Sequence, residues 1–143
     1  MAQKKTRSYN PEQTRAAIIE AGLELFGSGG YHGTSVGDVA AAAGITKGAF
    51  YHHFECKEDL LLLIHDQYVA HQLKAVEGAF ATSDSPEKQL RALIVCVVET
   101  VEKFRPHVQV FFQERRYLGA ANLAKVRKQR DRLEKTVLTV IQR

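Results

Sequence analysis

Helix start and stop signals punctuate this chain from one end to the other, and they leave an all-α fold as its outcome. Asn10 can cap a helix that Pro11 opens, with Gln13 where a capping box wants an amide or acid. Ala17, Ile18, Ala21, Leu25 and Phe26 then recur at helical spacing. Gly27-Ser28-Gly29-Gly30 ends the run, because glycine tolerates a left-handed exit. Thr34 or Ser35 caps a short helix from Val36 to Ala43, Gly44-Ile45 makes a tight turn, and Thr46 caps a third helix to about Phe54. A longer helix is predicted from about Lys57 to Phe80. Ser85-Pro86 restarts the chain into a helix ending near Phe104, and Leu90, Leu93, Ile94, Val95, Val97, Val98 and Val101 make it apolar on most faces, which predicts burial. Pro106 opens a short helix through Phe112, and after Gly119 an amphipathic helix runs from Asn122 to the end. No stretch alternates as a strand would, and there is no repeat or low-complexity tract.

Composition removes several classes. A chain of 143 residues is one domain, or one small domain beside another, and can hold a core without disulfides. With 45% apolar and 25% charged residues it matches a globular protein rather than a disordered one. The longest apolar run, Ala92 to Val98, is only seven residues, so no membrane span is expected. The charged start, Met1 to Arg7, has no apolar stretch behind it and does not read as a secretory signal. Cys56 and Cys96 form neither a metal spacing nor a disulfide framework, which points to a reducing, cytoplasmic setting.

Enzyme readings find no footing. Gly27 to Ser35 mimics a phosphate loop but lacks the Gly-Lys-Ser/Thr ending. His65 and His71 are six apart on a helix and do not share a face as metal ligands would. No Cys–His or Ser–His arrangement emerges from spacing, so no catalytic residue, metal or cofactor is expected.

The informative stretch is Thr34 to Leu60, two short helices joined by a glycine turn. Ala40 and Ala43 are small enough for close helix approach, Val39 and Ile45 form the wedge, and Phe50 and Phe54 turn the second helix inward. Thr46, Lys47, Gly48, Ala49, Tyr51, His52 and His53 are left for the outward surface or its edges. A thin helix N-terminus flanked by hydroxyl, amine and imidazole groups suits the major groove.

The segment resembles the DNA-binding domain of the TetR family of transcriptional regulators. The resemblance is carried by Ala21-Gly22-Leu23-Glu24-Leu25-Phe26, Gly33-Thr34-Ser35-Val36, Ile45 through Phe54, and Lys57-Glu58-Asp59-Leu60, in order and at the expected spacings. Gly37 inside a short helix and Cys56 in place of a small polar cap depart from the pattern without removing a DNA contact. By resemblance, Thr34 would hold a phosphate through its hydroxyl, and Thr46, Lys47, Gly48 and Ala49 would face base edges. Lys47 is the long donor there, suited to guanine O6/N7. Tyr51 and His52 would contact the backbone, Lys57 another phosphate, and Lys4, Lys5 and Arg7 would form a basic arm.

The resemblance implies residues 1–57 as a three-helix DNA-binding domain and 58–143 as an antiparallel helical domain for ligand binding and homodimerisation. Ligand in the second domain would tilt the fourth helix and shift the population of DNA-binding states. Its candidate pocket residues are Tyr68, Leu93, Val97, Phe104, Val108, Phe111, Phe112 and Tyr117. Val110 through Leu118, followed by a basic helix, is similar to the branch of the family that senses acyl-CoA and other lipid thioesters, sterol-derived ones included. Arg115, Arg116 or the Lys125, Arg127, Lys128 and Arg130 cluster would then meet the CoA phosphates. Family members continue through two further long helices, so the domain reads as truncated, with the seam of Leu133, Val137, Leu138 and Ile141 lacking its cover.

The resulting expectation is a repressor that occludes a palindromic double-stranded operator and is released by a small apolar effector, an acyl-CoA first among them. The alternative is a ligand-binding helical protein acting through protein partners. A non-specific DNA-compacting protein fits less well, because the basic excess lies elsewhere. Residues 1–57 carry net +1, 58–114 net −4 and 115–143 net +7.

Overall fold

The computed structural model describes residues 10–81 and 85–142, so the basic arm of Lys4, Lys5 and Arg7 lies outside the described residues. Helices α1 (Pro11–Gly29), α2 (Val36–Ala42), α3 (Lys47–His53), α4 (Lys57–Ala81), α5 (Pro86–Lys103), α6 (Arg105–Glu114) and α7 (Ala120–Ile141) follow in order, with a 3₁₀ turn at Arg115–Tyr117 before the last. The fold among the described residues is all-helical, and the chain divides into two compact units between Lys57 and Glu58.

The first unit is built by its caps. The Asn10 side chain accepts from the Glu12 and Gln13 amides and so satisfies donors that the first turn of α1 leaves open. At α2 the cap is Ser35, not Thr34, in a full capping box. Ser35 Oγ accepts from the Asp38 amide at 3.0 Å, and Asp38 Oδ2 accepts from the Ser35 amide at 2.8 Å. Hydrogen bonding of the Asp38 carboxyl to the Ser35 backbone amide, and then to the Ser35 side chain, holds it below its ordinary pKa. Thr46 Oγ1 caps α3 by accepting from the Ala49 amide at 3.1 Å. Between α2 and α3 the chain reverses at Gly44, whose φ of +69° is open to glycine without strain. Ile18, Phe26, Val39, Phe50 and Phe54 fill the core, with Phe50 fully buried. The Phe50 and Phe54 ring centroids lie 5.4 Å apart, and the Arg15 guanidinium covers Phe54.

The second unit packs Ile64, Val69, Val76, Leu93, Val110, Phe111, Leu118 and Val126 inward. Glu58 Oε1 accepts from the Gly119 amide at 2.8 Å and from Asn122 Nδ2 at 2.7 Å, tying the start of α4 to the start of α7. The expectation of a buried α5 is corrected. Only Gln89, Leu93 and Thr100 are buried there, while Ile94 is 57% and Val98 61% exposed. Leu90, Ile94, Val98 and Val101 recur at i, i+4, i+8 and i+11, so the residues that made the helix look enclosed form one open stripe instead.

Candidate nucleic-acid interface

Successive residues of a helix are rotated by about 100°, so Lys47, Gly48, Tyr51 and His52 share an outward arc of α3 about 140° wide. All four are exposed, and Tyr51 at 50% exposure is no part of the core. Ala49 lies about 60° beyond one edge of this arc and is half-buried, while half-buried His53 and buried Phe50 lie on the opposite, inward side. Thr46 is exposed as well. Its oxygen accepts the Ala49 amide proton, which leaves its own hydroxyl proton to donate outward.

Gly48 is the informative member of the set. A Cβ built on it meets nothing nearer than Thr46 Oγ1 at 3.9 Å, so neither packing nor backbone conformation requires glycine. Glycine inside a helix costs about 1 kcal/mol relative to alanine. The position leaves the exposed start of α3 bare and thin. The contrast is Gly33, where a Cβ would run into the Gly29 carbonyl oxygen and glycine is needed by the fold itself.

Two phosphate candidates turn inward. Thr34 is 4% exposed, and its hydroxyl faces the carbonyl oxygens of Gly30 at 2.9 Å and Leu25 at 3.2 Å. Its single hydroxyl proton is directed at those acceptors, so the hydroxyl clamps the end of α1 and the loop after it. Lys57 donates to the Tyr31 carbonyl at 2.6 Å and the Thr34 carbonyl at 2.9 Å, with its ammonium 4.0 Å from the Tyr31 ring centre. Partial burial pushes its pKa down. Two of three ammonium protons thus hold the same loop, and one is left for a phosphate.

The effector candidates of the second unit separate into an inner and an outer group. Phe104 brings Tyr68 (6.2 Å between ring centres), His71 (4.7 Å) and His107 (4.9 Å) together. Phe111 is buried with its ring 4.1 Å from that of His65. Leu93 is buried, and Val97, Val108 and Tyr117 are half-buried. Phe112 is 47% exposed. The Arg130 guanidinium lies 5.1 Å and the Arg115 guanidinium 5.5 Å from its ring, while Arg116 lies over Tyr117. Arg115 and Arg116 are exposed.

His65, His71, Gln72, His107 and Gln129 are not among the pocket residues expected from sequence. The signal available is the spacing of His65, Tyr68 and Gln72, polar groups at i, i+3 and i+7 on the face of α4 that also carries Leu61. Among the described residues no three His, Cys, Asp or Glu side chains are placed to hold a metal ion, and no helix is long and apolar enough to cross a membrane.

Comparison with known proteins gives this geometry its context. Residues 18–64 match the family model described as "Bacterial regulatory proteins, tetR family", and residues 83–143 match "Tetracyclin repressor-like, C-terminal domain". The HTH-type transcriptional regulator AcrR of Shigella flexneri is 33% identical over 113 residues, covering 76% of this chain and 52% of that protein. The HTH-type transcriptional repressor KstR2 of Mycolicibacterium smegmatis is 26% identical over 109 residues, covering 76% of this chain and 53% of that protein. The chain thus spans about half the length of these curated relatives. The crystal structure of the TetR family transcriptional regulator PfmR from Thermus thermophilus superposes with a TM-score of 0.81 at 31% identity, over 90% of this chain and 69% of that one. With both halves matched in order and the fold shared, the chain belongs to the TetR family of bacterial regulatory proteins.

Proposed function

We propose that the protein is a DNA-binding transcriptional repressor in which residues 1–57 bind a palindromic operator and residues 58–143 receive an effector and dimerise. Lys47, with Thr46, Gly48 and Ala49, reads base edges in the major groove, and Tyr51 and His52 contact the sugar-phosphate backbone. Lys57 keeps one proton for a phosphate while bracing the loop behind α3. The protein works in the cytoplasm as a homodimer and catalyses no reaction. The observation that carries this reading is the exposed, thin start of α3, where Gly48 is bare with no internal reason to be.

The effector is a small, largely apolar molecule, and a CoA thioester of a fatty acid or sterol-derived acid is the leading class. Support comes from the aromatic group around Phe104 and Phe111, with Arg115, Arg116 and Arg130 exposed beside Phe112 and Tyr117 as partners for phosphates. Effector binding relieves repression only through a difference in affinity between the two DNA-binding states.

Selection of duplexes from a random pool tests the DNA-binding reading. Recovery of one recurrent sequence with two-fold symmetry and half-sites about one helical turn apart is expected. No enrichment above the starting pool refutes it and favours a helical ligand-binding protein that acts through protein partners. For the effector, an acyl-CoA series titrated against the bound duplex should release it, and inertness of every member removes the thioester assignment.

A further inference from the structure

Buried polar atoms without partners are scarce in folded proteins, and each costs about 1–3 kcal/mol when left unsatisfied. In the second unit His65 Nε2, His107 Nδ1 and Gln129 Oε1 are buried and unpartnered. His65 is only 1% exposed, so its nitrogen has no recourse to bulk solvent. Aromatic contacts surround His65 and His107, and Gln129 lies on α7 next to a residue that reaches the same rings. The His65 ring lies tilted against Phe111 with centres 4.1 Å apart, and Arg130, the neighbour of Gln129, has its guanidinium 6.0 Å from the same Phe111 ring. His107 is one helical turn before Phe111 on α6, and its ring lies 4.9 Å from Phe104. Phe104 in turn meets Tyr68 and His71 of α4.

We propose that this cluster seats a ring-bearing ligand that carries hydroxyl or N–H donors, received by His65, His107 and Gln129 between flanking aromatic rings. The inference rests on the reading of the second unit as an effector domain, and it assigns the chemistry of the effector's buried end. Asp66 Oδ1 lies 3.4 Å from His65 Nδ1, so the tautomer with its proton on Nδ1 donates to Asp66 and presents Nε2 as an acceptor. Gln129 Oε1 can only accept. Two buried acceptors without partners call for a donor from the ligand. A plain hydrocarbon chain would leave both unsatisfied, whereas a hydroxylated ring can donate to them and stack on Phe104, Phe111 and the imidazoles. A metal ion does not account for the cluster, since no three ligating side chains converge among the described residues.

The test titrates the whole chain with resorcinol, a ring with two hydroxyls, and with toluene, the same ring without donors. Calorimetry reads affinity, and long-range proton–nitrogen NMR reads the imidazole nitrogens. Resorcinol should bind about tenfold or more tightly than toluene and should move the His65 Nε2 resonance. His65→Phe and Gln129→Leu, which keep ring or chain volume, should each bring the affinity ratio toward one. Equal or tighter toluene binding overturns the proposal. So does resorcinol binding with His65 Nε2 unmoved, or no binding of either probe, the result expected if ordered water alone fills the site. The wild-type NMR arm stands even if a variant fails to fold. Release of the selected duplex by palmitoyl-CoA with resorcinol inert removes this proposal but keeps the effector reading. Resorcinol binding as expected, with no compound able to release the duplex, does the reverse.

Discussion

Substituting Gly48 by alanine should make the protein more stable and worse at its task. Gly48 is the second residue of α3, its φ is not positive, and an added Cβ has only Thr46 Oγ1 near it, at 3.9 Å. No atom must move to admit the methyl group. Alanine in place of glycine therefore gains helix propensity and reduces the entropy of the unfolded chain, about 0.5–1 kcal/mol together. For a chain of this size that is a rise of about 2–4 °C in Tm. The same methyl group projects from the surface that a base edge or phosphate must approach, and should cost about 1–3 kcal/mol of binding. The assay pairs thermal unfolding by circular dichroism with fluorescence anisotropy on the selected duplex. Gly33→Ala is the control, since its Cβ meets the Gly29 carbonyl and should lower stability by about 1–3 kcal/mol. A G48A variant with wild-type affinity would refute the claim that this position comes close to DNA. A destabilised G48A variant would refute the packing argument beneath it.

Three further outcomes follow from the same geometry. Lys47→Ala should weaken binding by about 1–3 kcal/mol and relax preference at one base pair, measured by repeating the selection; a uniform loss on all sequences would make Lys47 a phosphate contact. Thr34→Val and Lys57→Met should each lower unfolding stability by about 1–2 kcal/mol, because Gly30, Tyr31 and Thr34 carbonyls lose donors. Thr34→Val should leave the salt slope of DNA binding unchanged, and Lys57→Met should reduce it by about one. Burial holds the His107 pKa below its ordinary 6.5, so below that pH the unfolded chain takes up a proton that the folded chain resists. Stability should be complete above pH 6.5 and should fall as the pH drops toward the folded-state pKa. In denaturant titrations, His107→Gln should flatten that slope.

The helix signals carry most of the architecture because they are local. Asn10, Ser35 with Asp38, Thr46 and Gly44 act on backbone groups within four residues, and each does in the fold what its neighbours in sequence imply. The α5 stripe misleads because apolar periodicity identifies a face that wants cover without saying whether cover is present. Thr34 and Lys57 read outward in the sequence because a hydroxyl and an ammonium suit phosphates. The carbonyls of Leu25, Gly30 and Tyr31 that claim them instead come from the last turns of α1 and the loop after it, whose path no local pattern encodes. His65, His107 and Gln129 escape sequence reasoning for a related reason. Each occupies a position where an apolar residue would be unremarkable, and only burial without a partner marks them. Tyr51, by contrast, is legible: the spacing from Phe50 puts one ring inward and the other at the surface.

The central claim is that the exposed arc of α3 reads DNA sequence, and its most direct measure is a ratio. The affinity of the whole chain for its selected duplex, divided by that for a scrambled duplex of equal composition at physiological salt, should be about 1,000 or more. In Lys47→Ala it should fall by roughly tenfold or more. A wild-type ratio near one, whatever the absolute affinity, would contradict the account.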